Sequence, residues 1–319
     1  MTRSSISGAG DLPRYLWERS GTRSLFAARP SSVDEAQLDN VANVWSKRDP
    51  APALSICIPT RDRLDLLVPC LVALARTCAN QPVELIIGDT GSAPETSEAY
   101  SRMGLEAVRI DGPFNFSRAC NAMAEAARAD VLLFLNSDTE AISSDWVPHL
   151  LELSGHEIVG AALVYPGTRR IQSAGIEVVR AGGWLQRNAY RPRKARGGGL
   201  ALQNVLLGRS LDAVDPHAAQ VMAVSGACIA LSRPLFRELR GFDESFRSDL
   251  QDVDLCLRGR VTGSDVISRR DIVFSHRHAA SRGRYPFPLD DWRRFVDRWG
   301  GELEHWRVRR VSPWRASAR

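Results

Sequence analysis

Three acidic clusters and a late histidine carry the chemistry this sequence can offer. Asn136-Ser137-Asp138 follows the apolar run Val131–Leu135. Asp138 there can hold a divalent cation that bridges a bound diphosphate, with Asn136 in support through its carbonyl or a water. Mg²⁺ and Mn²⁺ favour such oxygen ligands, and neutralised charge helps a diphosphate leave. Asp252 and Asp254 open a predicted helix. Residues two apart on a helix point in different directions, which favours two roles over a shared proton. Asp252 can reach a ligand and take a proton from an incoming hydroxyl, while Asp254 organises the helix or a neighbouring Arg. Both also suit the positive helix N-terminus with no chemistry at all. Asp89 ends another apolar run, where a carboxylate can accept hydrogen bonds from a base or ribose or simply close a turn. His276 and His278 lie beyond a β-like run. His276 is the better candidate for a ligand or active-site group, and neither belongs to an HExxH zinc motif.

These groups need a frame. Leu54–Ile58 reads as a strand closed by Pro59, with Thr60 expected to cap a helix from Arg61 to Ala79. Val83–Ile87, Ala107–Ile110, Val131–Leu135, 158–165 and Val266–Phe274 read as further strands, and order is expected over Val221–Leu231. Helices are predicted at 94–103, Ser117–Ala127, Pro234–Leu239 and Asp252–Arg260. Continuous apolar strands alternating with helices predict an α/β fold with a mostly parallel sheet covered on both faces. Ligands of such sheets bind beyond the strand C-termini, where the polar residues gather here.

The organisation expected is an N-terminal helical extension and linker (1–53), a core domain (54–290) and a basic, Trp-rich tail (291–319). The extension has helix patterns at Leu12–Trp17 and Asp34–Trp45 before the DPAPA linker. Within the core, 168–210 reads as a Gly- and Arg-rich excursion. Trp292, Trp299 and Trp306 follow at heptad spacing and Trp314 eight residues later, with Gly300-Gly301 expected to divide the helix.

Composition bounds the class. The 319 residues are 44% hydrophobic and 25% charged, which excludes collagen-like, fibrous and disordered chains. The net charge of +5 is unevenly spread: 51–167 carries −8, 168–210 carries +8 and 291–319 carries +4. The six cysteines form no CxxC pair and fall in apolar patterns, so reduced, buried thiols are expected. No signal-peptide run or membrane-length apolar stretch is present, so a cytoplasmic setting is expected, with peripheral contact at a membrane left open.

Taken together, the segments resemble glycosyltransferase family 2, inverting nucleotide-sugar transferases of the GT-A fold. The resemblance rests on Ser55–Arg63, Glu84–Ser92, Phe114–Ser117 with Asn121, and Leu133–Thr139. It continues through Val224–Cys228, Arg233–Phe236, Gly241–Phe246, Gln251–Arg258, and His276 followed by Ala279–Gly283. The resemblance implies a Rossmann-like α/β fold in which Pro59, Thr60, Arg63 and Asp89 contact the nucleotide. It implies that Asn136, Ser137 and Asp138 lie at the donor diphosphate, and Arg282, six residues after His276, is a further candidate there. Asp138 and His276 would hold Mn²⁺ or Mg²⁺, and Asp252 would be the catalytic base. Asn136 and Gln251 stand where the family often has acidic residues, and Cys228 is assigned to packing. The implied partners are a UDP, dTDP or GDP sugar and a saccharide or polyprenyl-linked oligosaccharide acceptor, not nucleic acid. The motifs resemble rhamnan and O-antigen-type enzymes, which points to rhamnosyl transfer in bacterial surface-polysaccharide assembly. Two departures, Asn136 and Gln251, motivate a competing reading as a nonenzymatic nucleotide-sugar or glycan-binding module. A dinucleotide oxidoreductase is disfavoured because Gly88-Asp89-Thr90-Gly91 is not a GxGxxG turn.

Overall fold

Every residue of β1 (Leu54–Thr60) is buried, which requires cover on both faces of the sheet it joins. A computed structural model describes residues 35–45, 49–78, 81–180, 200–277 and 289–308. Strand β1 pairs in parallel with β2 (Val83–Asp89) on one side and β4 (Val131–Leu135) on the other. β2 pairs in parallel with the short β3 (Ala107–Arg109). Beyond β4 the sheet continues through β11 (Cys228–Ser232), β6 (Glu157–Val164), β12 (Asp265–His276) and the edge strand β10 (Ala219–Gln220). β11 is antiparallel to both neighbours, and β12 is parallel to β6. From β3 to β12, every strand except β11 therefore runs the same way.

Alternation along β1 splits the interior in two. Leu54, Ile56 and Ile58 enter one core with α1 (Glu35–Trp45), α2 (Leu64–Cys78), α3 (Pro94–Arg102) and α5 (Trp146–Leu151). Cys57 enters the other, with α4 (Phe116–Ala126), α6 (Arg233–Glu238), α7 (Gln251–Val261) and α8 (Leu289–Val308). All six cysteines are buried with free thiols. Among the described residues no helix is long and apolar enough to cross a membrane.

Several expectations need correction. Thr60 is no helix cap: it pairs with Asp89 in the β1–β2 ladder, and its carbonyl accepts the Thr90 N–H at 3.1 Å. Asp62 then takes the left-handed region (φ 49°), and α2 starts only at Leu64. The order expected over Val221–Leu231 is present, with β11 beginning at Cys228. Gly300-Gly301 does not divide α8, which runs through both and buries Phe295, Trp299 and Leu303. Tertiary packing there outweighs a helix-propensity cost of about 1 kcal/mol per glycine. The 290/291 boundary thus falls inside a helix that packs on the core. The 168–210 excursion is partly sheet: β7 (Ile171–Ser173) pairs with β6, while β8 (Ile176–Arg180) and β9 (Leu200–Asn204) form a hairpin. The helix pattern at Leu12–Trp17, the RPRKARGGG run, and Trp314 lie outside the described residues.

Candidate active site

The C-terminal ends of β4, β1 and β2 place Asn136–Asp138, Pro59–Thr60 and Asp89 along one edge of the sheet. Asp89 is buried and closes its own turn, its Oδ1 accepting the backbone N–H groups of Gly91 (3.1 Å) and Ser92 (2.7 Å). Its Oδ2 lies 3.5 Å from the guanidinium of Arg109, which stays largely exposed. The Asp89 carboxylate is therefore a preset anchor with the Arg109 cation beside it. Nearby, burial pushes the Tyr100 hydroxyl up to about 12, and this neutral phenol sits 3.3 Å from the Ser92 hydroxyl.

Asp138 and His276 meet although they are far apart in sequence. After β4 the chain turns at Asn136, whose carbonyl accepts the Thr139 hydroxyl (2.7 Å), and returns as β5 (Thr139–Ala141). β5 pairs antiparallel with the end of β12, Thr139 opposite His276. The buried His276 Nε2 consequently lies 3.3 Å from Asp138 Oδ1. His276 is thus the last residue of a strand rather than part of a following loop. Arg63 forks onto Asp65 at 2.8 and 2.7 Å. Hydrogen bonding to Asp65 and, more weakly, the field of Asp138 hold the Arg63 guanidinium above its usual range. Ser137 is buried beside Asp138.

Asp252 joins this site through two backbone groups. The Asn136 N–H donates to the Ala227 carbonyl at 3.0 Å, and the adjacent Gly226 N–H donates to Asp252 Oδ2 at 2.6 Å. A Cβ at Gly226 would sit 3.0 Å from the Asp252 Cβ and 3.2 Å from its Oδ2, so glycine lets the carboxylate approach. Asp254 turns the other way into the core. It accepts hydrogen bonds from Arg258 (2.8 Å), Arg298 (2.7 Å) and the Trp299 indole (2.9 Å). The two carboxylates of the motif thus have separate surroundings, one against the Gly226 backbone and one binding α7 to α8.

The GFDESF run is a support. Asn121 exchanges hydrogen bonds with the Phe242 backbone in both directions at 2.9 Å, and Ser117 donates to the Phe246 carbonyl at 2.9 Å. Gly241 has φ 65° and a Cβ there would meet Asn121 Oδ1 at 2.6 Å, so this position requires glycine. The buried Asp291 of α8 accepts the N–H groups of Arg247, Ser248 and Asp249 at 3.0–3.2 Å, holding the segment that leads into α7. Sequence reasoning missed Gln172, Gly226 as a support for Asp252, Arg109 and Asp291. Only Gly226 carried a signal, as a small residue within a matching motif. Arg282 and His278 lie outside the described residues.

Among the described residues no three His, Cys, Asp or Glu side chains gather as a metal cage. Asp138 and His276 instead supply one oxygen and one nitrogen donor at 3.3 Å from each other. Two donors fit a divalent ion that completes its shell with substrate phosphates and water.

Residues 55–210 match the model of glycosyl transferase family 2. The family 2 match takes in Asp89, Asp138 and Gln172, while Asp252 and His276 lie beyond it. The chain is similar to the uncharacterized protein y4gI of Sinorhizobium fredii, at 29% identity over 247 residues, 74% of this chain and 26% of that protein. It is also similar to the O-antigen biosynthesis protein RfbC of Myxococcus xanthus, at 29% identity over 252 residues, 76% of this chain and 18% of RfbC. The chain thus spans only about a quarter or less of the length of these curated relatives. Among solved structures, GalNAc-T7 with UDP, GalNAc and Mn²⁺ shares the fold. Its TM-score is 0.60 at 14% identity, over 79% of this chain and 50% of that one. The fold is accordingly a GT-A-like α/β architecture.

Proposed function

We propose that the protein transfers a sugar, with inversion, from a nucleotide diphosphate donor to a hydroxyl of a saccharide or polyprenyl-linked oligosaccharide. The observation that carries this reading is the convergence of Asp138, His276 and Asp252 on the Asn136 turn and the Gly226–Ala227 segment. Pro59, Thr60, Arg63, Asp89 and Arg109 form the nucleotide side of the cleft. Asp138 and His276 would hold Mn²⁺ or Mg²⁺, which when bound neutralises charge on the leaving diphosphate. Asp252 accepts the proton of the acceptor hydroxyl as its oxygen bonds to the anomeric carbon. The bond from that carbon to the diphosphate oxygen breaks, and its electron pair leaves with the nucleotide. Gly226 and the Val253 N–H, at 2.6 and 2.8 Å, orient the Asp252 carboxylate. A carboxylate oxygen accepts more than one hydrogen bond, so this orientation leaves it able to act as a base.

The similarity to RfbC supports a place in bacterial surface-polysaccharide assembly. Rhamnosyl transfer at the cytoplasmic face of the membrane is the specific form we propose. The test is a product-resolved screen of UDP, dTDP and GDP sugars against polysaccharide and lipid-linked acceptors, with and without Mn²⁺. Metal-stimulated transfer with inverted anomeric configuration is expected. A folded sample that binds donors yet neither transfers nor hydrolyses them makes the protein a binding module. Retained configuration overturns the single displacement.

A further inference from the structure

We infer that Gln172 is a positioning residue that fixes the tautomer of His276 and so presents the Nε2 lone pair to a divalent cation. This rests on the proposed metal role of Asp138 and His276 and adds a residue to it. The buried Gln172 amide makes two hydrogen bonds to one residue. Its Nε2 lies 3.1 Å from the His276 backbone carbonyl, and its Oε1 lies 2.6 Å from His276 Nδ1. A carbonyl only accepts, so the first contact sets which end of the amide is nitrogen. The amide oxygen is then left facing Nδ1, and only a protonated Nδ1 satisfies it. In the neutral ring the proton sits on Nδ1, and Nε2 turns its lone pair toward Asp138 Oδ1, 3.3 Å away. A lone pair and a carboxylate at that separation can share one cation. Outer partners that fix a histidine in this way tune metal sites.

The backbone gives an independent reason why Gln172 reaches this far. Along the β6–β7 ladder, Leu163 pairs with Ser173 but Val164 pairs with Ile171. One step on β6 thus corresponds to two on β7, and Gln172 is the extra residue of a β-bulge. Bulges beside active sites re-aim a side chain. Here the side chain is turned onto the end of β12.

The test is nitrogen-15 NMR of the histidine rings in the metal-free 319-residue chain, at a pH where the rings are neutral. His276 is assigned by its loss in His276→Gln. The proton is expected on Nδ1 in the wild type and in Gln172→Glu, which keeps an acceptor. Gln172→Leu is expected to release this preference. A proton on Nε2 in the wild type overturns the proposal without any variant. Mn²⁺ alone is then titrated, read by the electron paramagnetic resonance of the free ion and by broadening of the His276 ring signals. Gln172→Leu is expected to weaken binding by about 10–100-fold while Gln172→Glu retains it. Wild-type affinity in Gln172→Leu overturns the proposal. Asp138→Ala separates the two layers: unchanged Mn²⁺ binding there removes the metal reading itself, whatever the tautomer spectrum shows.

Discussion

Trp299 donates its indole N–H to the Asp254 carboxylate at 2.9 Å, and both side chains are buried. This bond joins α8 to the helix that carries the proposed base two residues earlier. Trp299→Phe keeps an aromatic ring but removes the donor and part of the buried indole. A hydrogen bond to a charged group contributes about 1.5–3 kcal/mol, and that loss of stability is expected in urea unfolding.

Asp252→Asn keeps an oxygen that can accept the Gly226 N–H but removes the proton acceptor. Turnover should fall by about 10²–10⁴-fold, with donor binding and the unfolding midpoint near wild type. Steady-state kinetics and donor titration on the same preparation check both halves.

Gly226→Ala places a methyl 3.0 Å from the Asp252 Cβ and displaces the carboxylate by a few tenths of an ångström. Misplaced catalytic groups are costly, so a fall in kcat of about tenfold or more is expected, with KM for the donor little changed. Equal changes in kcat and donor affinity would point to a wider collapse of the cleft.

The Asp243 carboxyl gives a pH signature. Burial alone would raise it, but hydrogen bonds from Ser245 and the Arg298 guanidinium outweigh burial and bring it down to about 2 from 3.8. A carboxyl lowered on folding stabilises the fold above its unfolded value, and that contribution is lost as pH falls through its folded value. Wild-type protein should therefore keep this contribution above about pH 4 and lose it toward pH 2. Arg298→Ala should move acid unfolding, followed by circular dichroism, to higher pH.

The parts of the fold that were legible in the sequence are those where burial is total. β1, β2 and β4 read as continuous apolar runs because helices cover both of their faces, and their strand-end polar residues mark one edge of the sheet. Asp252 and Asp254 were separable because helical geometry alone turns them apart. What could not be read depends on pairing between distant segments. Thr60 looks like a helix cap until its register with Asp89 is known, and nothing local tells His276 that Thr139 lies opposite. Gln172 sits in a stretch whose net charge suggests a solvated loop, and its role comes from a bulge that leaves no mark in periodicity. Gly300-Gly301 reads as a break because propensity is local, whereas the burial of Phe295, Trp299 and Leu303 is not.

The pairing of β5 with the end of β12 also determines what this architecture can vary. The gap between Asp138 and His276 is set by one rung of a ladder rather than by the chain that connects them. The β8–β9 hairpin is closed by its own five-residue pairing, from Ile176 opposite Asn204 to Arg180 opposite Leu200. The spacing of Asp138 and His276 is thus held by strand register, so changes at Thr139–Ala141 or Phe274–His276 would move it directly.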